Sequence, residues 1–291
     1  MATMAAENFR AQYYDKVGFR GNKSLEILLS EKPIDLKKLS NLCRKFCLPA
    51  VHRFTVWKVL LGVLPTFEEN ASVFEKDQTD QCNALKRSLL VMRVVNDDTR
   101  PSEVVVLMYL LGEGQLRLDI EQQACGFFAP FGTISRRMQD EEAQHILGIA
   151  SAFFKMGLAE QDVYWMTRNF WKQLKKLSID SCLMSKQMED TLEKEDAELF
   201  QHLLRIKAFP VLPVDVWFRR CFAEVLDEDA LVRVWDKVIG GSVKFLPQVG
   251  AVLLMSLRTS LLHLRSVGDV LGLLSKVPKE ASDVVVNKVL E

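Results

Sequence analysis

The fold of this chain is decided by residues 213–241, PVDVWFRRCFAEVLDEDALVRVWDKVIGG. Pro213 stands where a helix begins, and the apolar residues after it recur at the three- and four-residue spacing of a helix face. Asp227 is a typical N-cap for a second helix, which the pair Gly240-Gly241 ends. The predicted buried positions are Val214, Trp217, Phe218, Cys221, Phe222 and Val225, then Leu231, Val234, Trp235 and Val238. The segment therefore predicts two consecutive amphipathic helices.

The same helical spacing extends along the chain on both sides of this segment. Further helices are predicted at 49–62, 104–111, 140–153, 163–174 and 246–264. Ser266 and Asp269 form the capping box of another helix. No segment alternates with a period of two for long, as an exposed strand would. The sequence therefore predicts an all-α fold.

Two stretches interrupt the helical pattern. Residues 66–80 are polar and are predicted to be a loop or a short helix. Residues 112–139 combine glycines with Phe127, Phe128 and Phe131, and are predicted to be a loop insertion, since a loop of this length is usually functional or flexible. The predicted organisation is an N-terminal segment at 1–22, one helical domain at 23–275 and a C-terminal helix at 276–291.

Composition excludes several classes of protein. Hydrophobic residues make up 48% and can fill a core, while 38 Lys and Arg balance 38 Asp and Glu. Without a basic cluster to displace counterions, nucleic acid is not a predicted partner. The longest apolar stretch, 249–257, is shorter than the roughly 20 residues of a membrane span, and residues 1–10 lack the apolar core of a signal peptide. The chain is predicted to be cytoplasmic, with no transmembrane segment.

Motifs of catalysis and metal binding are not found in the sequence. There is no Gly-x-Ser-x-Gly elbow, phosphate loop or HExxH motif. The six cysteines are scattered, and the nearest pair, Cys43 and Cys47, has neither a zinc nor a disulfide-scaffold spacing. The four histidines, which are His52, His145, His202 and His263, are also far apart. The sequence therefore predicts no cofactor and no metal site.

Aromatic and charged residues at set helical spacings form a more specific pattern. The first piece is Arg53-x-x-x-Trp57, in which the guanidinium can lie against the indole face. The full set of motif residues is Arg53, Trp57, Asp97, Trp217, Arg233, Trp235 and Asp236. In this order they resemble the motifs of the TBC domain, an all-helical family of GTPase-activating proteins for Rab-type small GTPases. The resemblance spans residues 24–275 and implies a single TBC domain.

The resemblance is closer to one branch of that family. It is carried by Asn8-Phe9-Arg10 and by the residues of 13–29, 217–223 and 233–242. This branch supplies the third subunit of the tuberous sclerosis complex, so the resemblance implies binding to the hamartin coiled coil and, through it, to tuberin. Tuberin carries the GTPase-activating domain for Rheb, and the complex restrains TOR complex 1 signalling. The implied location is the cytoplasm, with recruitment to the lysosomal or vesicle surface through partners.

The family's catalytic residues are an arginine finger and a glutamine finger, which stabilise charge on the phosphoryl group and orient the attacking water. Arg100 stands at the arginine position, although Pro101 follows it directly where the family usually has Thr. Gln144 stands near the glutamine position, within Glu142-Ala143-Gln144-His145, without the family's neighbouring Tyr and Gly. Arg100 and Gln144 are therefore candidate fingers in an incomplete context.

Three hypotheses about function follow from these residues. The favoured one is an interaction subunit of the tuberous sclerosis complex, which accepts a partner helix in an apolar groove and has weak or no activator function of its own. The alternative is a stand-alone GTPase-activating protein for a Rab-family GTPase, in which Arg100 is essential. A helical adaptor unrelated to GTPases is the third and most remote.

Overall fold

The computed structural model describes residues 19–67, 69, 71–116 and 137–290, with side chains from Leu25 onward. This part of the chain forms helices and contains no strand, which confirms the predicted all-α fold. In chain order the helices are α1 (Phe19–Ser30), α2 (Leu36–Lys45), α3 (Ala50–Leu60), α4 (Ala71–Val91), α5 (Pro101–Gly112), α6 (Glu141–Lys155), α7 (Glu160–Lys176), α8 (Ser181–Glu195), α9 (Ala197–Arg205), α10 (Val214–Arg219), α11 (Glu228–Ile239), α12 (Leu246–Ser256), α13 (Arg258–His263), α14 (Val267–Leu274) and α15 (Lys279–Val289).

Helix α11 joins two groups of packed helices. On the N-terminal side, α5 packs against α4, α6 and α7, while α2 packs against α1 and α3. On the C-terminal side, α8 and α15 both pack on α12. Helix α11 contacts α2 and α3 from the first group and α15 from the second. Its residues can therefore stabilise both groups at once.

The centre of the core is a cluster of four aromatic side chains from four helices. Trp57 of α3, Phe153 of α6, Phe170 of α7 and Trp235 of α11 are all fully buried. The ring centroids of Phe153 and Trp235 are 4.8 Å apart, those of Phe170 and Trp235 are 5.0 Å apart, and those of Trp57 and Trp235 are 6.1 Å apart. Edge-on and tilted contacts of this kind add to the hydrophobic effect of burial.

The second helix of the segment 213–241 is confirmed in detail. The Asp227 side chain caps α11 by accepting a hydrogen bond of 3.2 Å from the backbone N–H of Ala230. The helix ends at Ile239 with Gly240 as its C-cap residue, and Gly241 has a φ of +87°, the left-handed conformation that glycine adopts easily. The four predicted core residues of α11 are all buried.

The first helix of that segment is shorter than predicted. Helix α10 ends at Arg219, and the predicted register to Val225 is wrong because Cys221, Phe222 and Glu224 have positive φ values of 47°, 62° and 65°. Left-handed backbone is unfavourable for these residues. It is offset by tertiary contacts, since Cys221 and Phe222 are fully buried and the Cys221 carbonyl accepts a hydrogen bond of 3.0 Å from the Trp235 indole.

Two further predictions are corrected, and one lies outside the described residues. Residues 71–91 form the long helix α4, so the loop or short helix predicted at 66–80 is corrected from residue 71 onward. The apolar pattern of this helix is interrupted by a polar residue on its buried face, Gln78, whose amide donates to the Val63 carbonyl. The stripe predicted at 246–264 is divided at Leu257 between α12 and α13. Of the predicted insertion at 112–139, residues 117–136 with their three phenylalanines lie outside the described part of the chain.

A helix that crosses a membrane must be both long and apolar, and the helices of the described ranges do not meet both requirements.

Candidate functional site

Three of the seven motif residues, Arg53, Trp57 and Asp236, meet at one buried carboxylate, that of Asp236. The Trp57 indole donates to it at 2.8 Å, the Arg53 Nε at 3.1 Å and the backbone N–H of Leu48 at 3.2 Å. Burial raises the pKa of Asp236 to about 6, and the Arg53 charge, the indole and the backbone donor limit that rise. A buried carboxylate with this many donors is a structural joint between α3 and α11.

The spacing of α3 explains how two of the donors reach one acceptor. Arg53 and Trp57 are four residues apart and lie on one face of the helix. The sequence predicted that the guanidinium lies against the indole, whereas the structure shows both groups donating to Asp236. Arg53 also donates to the Leu48 carbonyl at 2.6 Å, which fixes the entry into α3.

The other C-terminal motif residues lie on α10 and α11. Trp235, next to Asp236, belongs to the aromatic cluster and donates to the chain after α10. Trp217 of α10 is buried, and its ring centroid lies 5.9 Å from that of Phe222. Arg233 is half-buried on α11. The motif residues of α3, α10 and α11 therefore hold the helices together.

Asp97 and Arg100 lie apart from that joint, before α5. Asp97 is exposed in a turn that Asn96 and Thr99 close by side-chain hydrogen bonds. Arg100 is the N-cap residue of α5, its side chain is 73% exposed, and it forms an ion pair with Glu103 one turn into the helix. The Arg100 guanidinium is thus on the surface and, among the described residues, has no tertiary contact of the kind that holds Arg53.

Gln144 lies in the first turn of α6. Its amide Nε2 donates to the Met138 carbonyl at 2.5 Å, so this donor is occupied by the preceding chain. The helix start is set by Asp140, and Glu141 and Glu142 place negative charge on the first turn, as predicted. Gln144 is partly buried rather than extended into solvent.

The structure does not bring Arg100 and Gln144 together. The first turn of α6 contacts the last turns of α5, where the Tyr109 hydroxyl lies 3.4 Å from a carboxylate oxygen of Glu142. Arg100 is at the other end of α5, and the helical rise separates it from Tyr109 by about 14 Å along the axis. Both fingers must reach one phosphoryl group for the family's chemistry. Arg100 thus lies at the start of α5, whereas Gln144 lies in the turn of α6 that contacts the last turns of α5.

Glu142 is a polar residue whose role the sequence analysis missed. It accepts hydrogen bonds from the Trp171 indole at 2.8 Å and from Lys175 at 2.9 Å. Burial by itself would raise the pKa of Glu142. The hydrogen bonds from Lys175 and Trp171 have a larger effect, so the pKa lies below its usual value. The four-residue spacing of Trp171 and Lys175 is the signal in the sequence that two donors share one face of α7.

Comparison with protein families identifies a domain in the C-terminal half of the chain. Residues 143–262 match the family model described as the Rab-GTPase-TBC domain. The chain is 37% identical to human TBC1 domain family member 7, and the alignment covers 100% of this chain and 96% of the relative. The corresponding protein of Danio rerio is 36% identical over the same shares.

Solved structures show the same fold at much lower identity. The Ypt/Rab-GAP domain of Gyp1p aligns with a TM-score of 0.57 at 14% identity, over 94% of this chain and 97% of that domain. The Chlamydomonas flagellar RabGAP TBC domain aligns with a TM-score of 0.58 at 13% identity, over 98% of this chain and 92% of that domain. The helical architecture is therefore that of a Rab-GAP TBC domain.

Proposed function

The chain belongs to the TBC domain family, and from that premise we propose that it is an interaction subunit of the tuberous sclerosis complex. In this role it binds the coiled coil of hamartin and, through hamartin, associates with tuberin. It supports the GTPase activation of Rheb by tuberin, which restrains TOR complex 1 signalling at the lysosomal surface. The TBC fold serves for assembly, and its own contribution to GTP hydrolysis is small or absent.

One observation carries the proposal: the candidate fingers are not assembled into a site. Arg100 is exposed and paired with its own helix, and Gln144 donates to the Met138 carbonyl. An arginine finger is worth on the order of 10³–10⁵ in rate only when it is held against the transferring phosphoryl group. A side chain that must be ordered at each encounter loses much of that effect.

Exposed apolar residues on α1 and α3 support a partner helix as the ligand. Ile27 is 60% exposed and Val51 is 86% exposed. Their chain neighbours Glu26 and His52 approach to 3.8 Å, so α1 and α3 are close to each other near these two residues. A partner helix binds such a surface through apolar anchors spaced three and four residues apart. We therefore place the hamartin helix across α1 and α3.

The proposal is tested by mixing the purified chain with the C-terminal coiled coil of hamartin and measuring co-elution and affinity. We expect a stable complex that is unchanged by Arg100→Ala. The surface is tested by Val51→Asp, which should weaken binding more than about tenfold because it buries an unpaired charge. Val73→Asp, at a 62% exposed valine of α4, is the matched control. Absence of a complex with the unmodified chain would refute the assembly role.

The second candidate function is a stand-alone activator of a Rab-type GTPase. The exposure of Arg100 favours it, since a 73% exposed guanidinium is accessible to a docked protein. This function requires that a bound GTPase draws Arg100 and Gln144 to one nucleotide across the length of α5. It predicts that hydrolysis is accelerated by the chain and that Arg100→Ala abolishes the acceleration.

A further inference from the structure

A histidine lies between two carboxylates at the junction of α6 and α10. The Nε2 atom of His145 is 3.4 Å from Oε1 of Glu141 and 3.6 Å from Oδ2 of Asp215. The three groups each offer one ligand atom, and these atoms all lie within 4.8 Å of one another. The cluster is separate from the Asp236 joint and from Arg100, and its residue His145 directly follows Gln144 in α6.

The buried imidazole of His145 has few hydrogen-bond partners among the described residues. The His145 side chain is only 4% exposed, and its Nδ1 atom has no hydrogen-bond partner among the described residues. Its Nε2 atom has one long contact, 3.4 Å from Glu141. A buried polar group without good partners is costly, and packing against the Trp171 ring, at a centroid distance of 6.0 Å, does not provide any. The long contacts of Nε2 with the Glu141 and Asp215 carboxylates leave room for an ion between these groups.

The spacing of the three atoms matches the ligands of a small divalent ion. Zinc binds nitrogen and carboxylate oxygen at about 2.0–2.2 Å, so tetrahedral ligands are about 3.3–3.6 Å apart. The distances from His145 Nε2 to the Glu141 and Asp215 oxygens already lie in this range. The third distance, between the two carboxylate oxygens, can shorten because the Glu141 side chain is 75% exposed and free to rotate. We propose that Glu141, His145 and Asp215 form a zinc-type divalent metal site that connects α6 to α10.

The surroundings of the cluster fit such a site. Arg219 donates to the other carboxylate oxygen of Asp215 at 2.7 Å, which orients the carboxylate and leaves Oδ2 directed at His145. A cavity of about 420 Å³, lined by Glu141, His145 and Arg219 among others, adjoins the cluster. It leaves room for a water molecule at the fourth position of a zinc ion with three protein ligands.

Sequence spacing alone did not reveal this cluster. Glu141 and His145 are four residues apart on one face of α6, which is an ordinary helical ion-pair spacing. The third ligand, Asp215, is supplied by α10, far away in the sequence. Only the packing of the two helices brings the three atoms together.

The test is zinc binding by the full chain, measured by equilibrium dialysis and calorimetry with Zn²⁺ alone. We expect one ion per chain, and a higher melting temperature when zinc is present. Glu141→Gln and Asp215→Asn should each weaken binding more than about tenfold, since even outer partners of a metal ligand are worth 10- to 100-fold. Asp140→Asn is the matched control, because Asp140 is a carboxylate of the same turn that pairs with Arg137 instead of His145.

Cobalt substitution separates this site from adventitious binding to thiols. Co²⁺ bound by one nitrogen and two oxygens gives visible d–d bands without thiolate charge transfer, and these bands should disappear in Asp215→Asn. The proposal is overturned if the chain binds no zinc, if the two ligand variants bind as tightly as Asp140→Asn, or if thiolate charge transfer shows that Cys47 or Cys182, which are exposed, hold the ion.

Discussion

The Asp236 joint and the surface around Arg100 and Gln144 use the same kinds of side chain with opposite results. Arg53 is held by a buried carboxylate and a backbone carbonyl, and its side chain is only 13% exposed. Arg100 is 73% exposed and pairs with Glu103 of its own helix. One arginine is fixed by tertiary structure, while the other, within the part of the chain that the structure describes, is paired only with its own helix.

This difference distinguishes motif residues that hold the fold together from motif residues that are candidates for catalysis. The motif residues at the joint connect α3 to α11, so the fold needs them whatever the protein does. The candidate fingers are connected to nothing in the described part of the chain that positions them for catalysis, so the fold does not need them. The proposed assembly role therefore depends on the motif residues at the joint and not on the candidate fingers.

The largest effect is expected from removing Trp235, the centre of the aromatic cluster next to the joint. Trp235→Ala should lower the free energy of unfolding by about 3–5 kcal/mol, because it leaves a cavity among Trp57, Phe153 and Phe170. It also removes the hydrogen bond to the Cys221 carbonyl. Urea unfolding measures the loss, with Val73→Ala on the exposed face of α4 as a control that should change little. A near-normal midpoint would show that the core is elsewhere.

A similar loss is expected when the joint loses its cation. Arg53→Ala leaves the Asp236 carboxylate buried without an opposite charge, and breaking a buried pair in this way costs about 3–5 kcal/mol. The same unfolding experiment at neutral pH measures it. If Arg53→Ala and Arg100→Ala were equally stable, the contrast between the two arginines would be wrong.

A smaller effect is expected from pH. The pKa of Asp236 is raised by burial from 3.8 to about 6, so between these values the folded chain holds a proton that the unfolded chain has released. The contribution of this group to stability is therefore present at low pH and is lost as pH rises from about 4 to about 6. A tenfold difference in proton affinity between the folded and unfolded chain corresponds to about 1.4 kcal/mol.

That pH dependence is measured as the difference in unfolding free energy between the unmodified chain and Asp236→Asn. The difference should decrease as pH rises through this window, since the variant has no carboxyl group to titrate. An increase over the same window would mean that the donors around Asp236 lower its pKa despite burial.

The smallest effect is expected at the surface finger. Arg100→Ala removes an exposed ion pair at the start of α5, and such changes usually stay within about 0.5 kcal/mol. Melting curves of the two proteins should nearly overlap. A large drop in melting temperature would show that Arg100 has a structural role like that of Arg53.

A helix could be predicted from the sequence where its buried residues are apolar and recur at the spacing of a helix face. Helix α11 has a capping Asp227, apolar residues at three- and four-residue spacing and a terminal Gly241, so its local signals and its tertiary contacts coincide. Helix α4 was missed because a polar residue, Gln78, occupies its buried face. The end of α10 was missed because Cys221 and Phe222 are buried through left-handed backbone, which periodicity cannot indicate.

The residues of the site could be identified from the sequence, but the contacts between them could not. The sequence identified Arg53, Trp57 and Asp236 without indicating that one carboxylate joins them, since α3 and α11 are far apart along the chain. It likewise named Arg100 and Gln144 from their order in the motifs. Their separation by the length of α5 depends on how that helix packs on α6, which spacing does not encode.

The central claim is that this TBC fold serves assembly and does not itself catalyse GTP hydrolysis. It is tested most directly by measuring GTP hydrolysis by Rheb and by a panel of Rab GTPases, with and without the purified chain and its Arg100→Ala variant. We predict no acceleration by either protein, while the hamartin coiled coil is still bound. Acceleration of any of these GTPases by the chain, lost in Arg100→Ala, would contradict the claim and make Arg100 a catalytic residue.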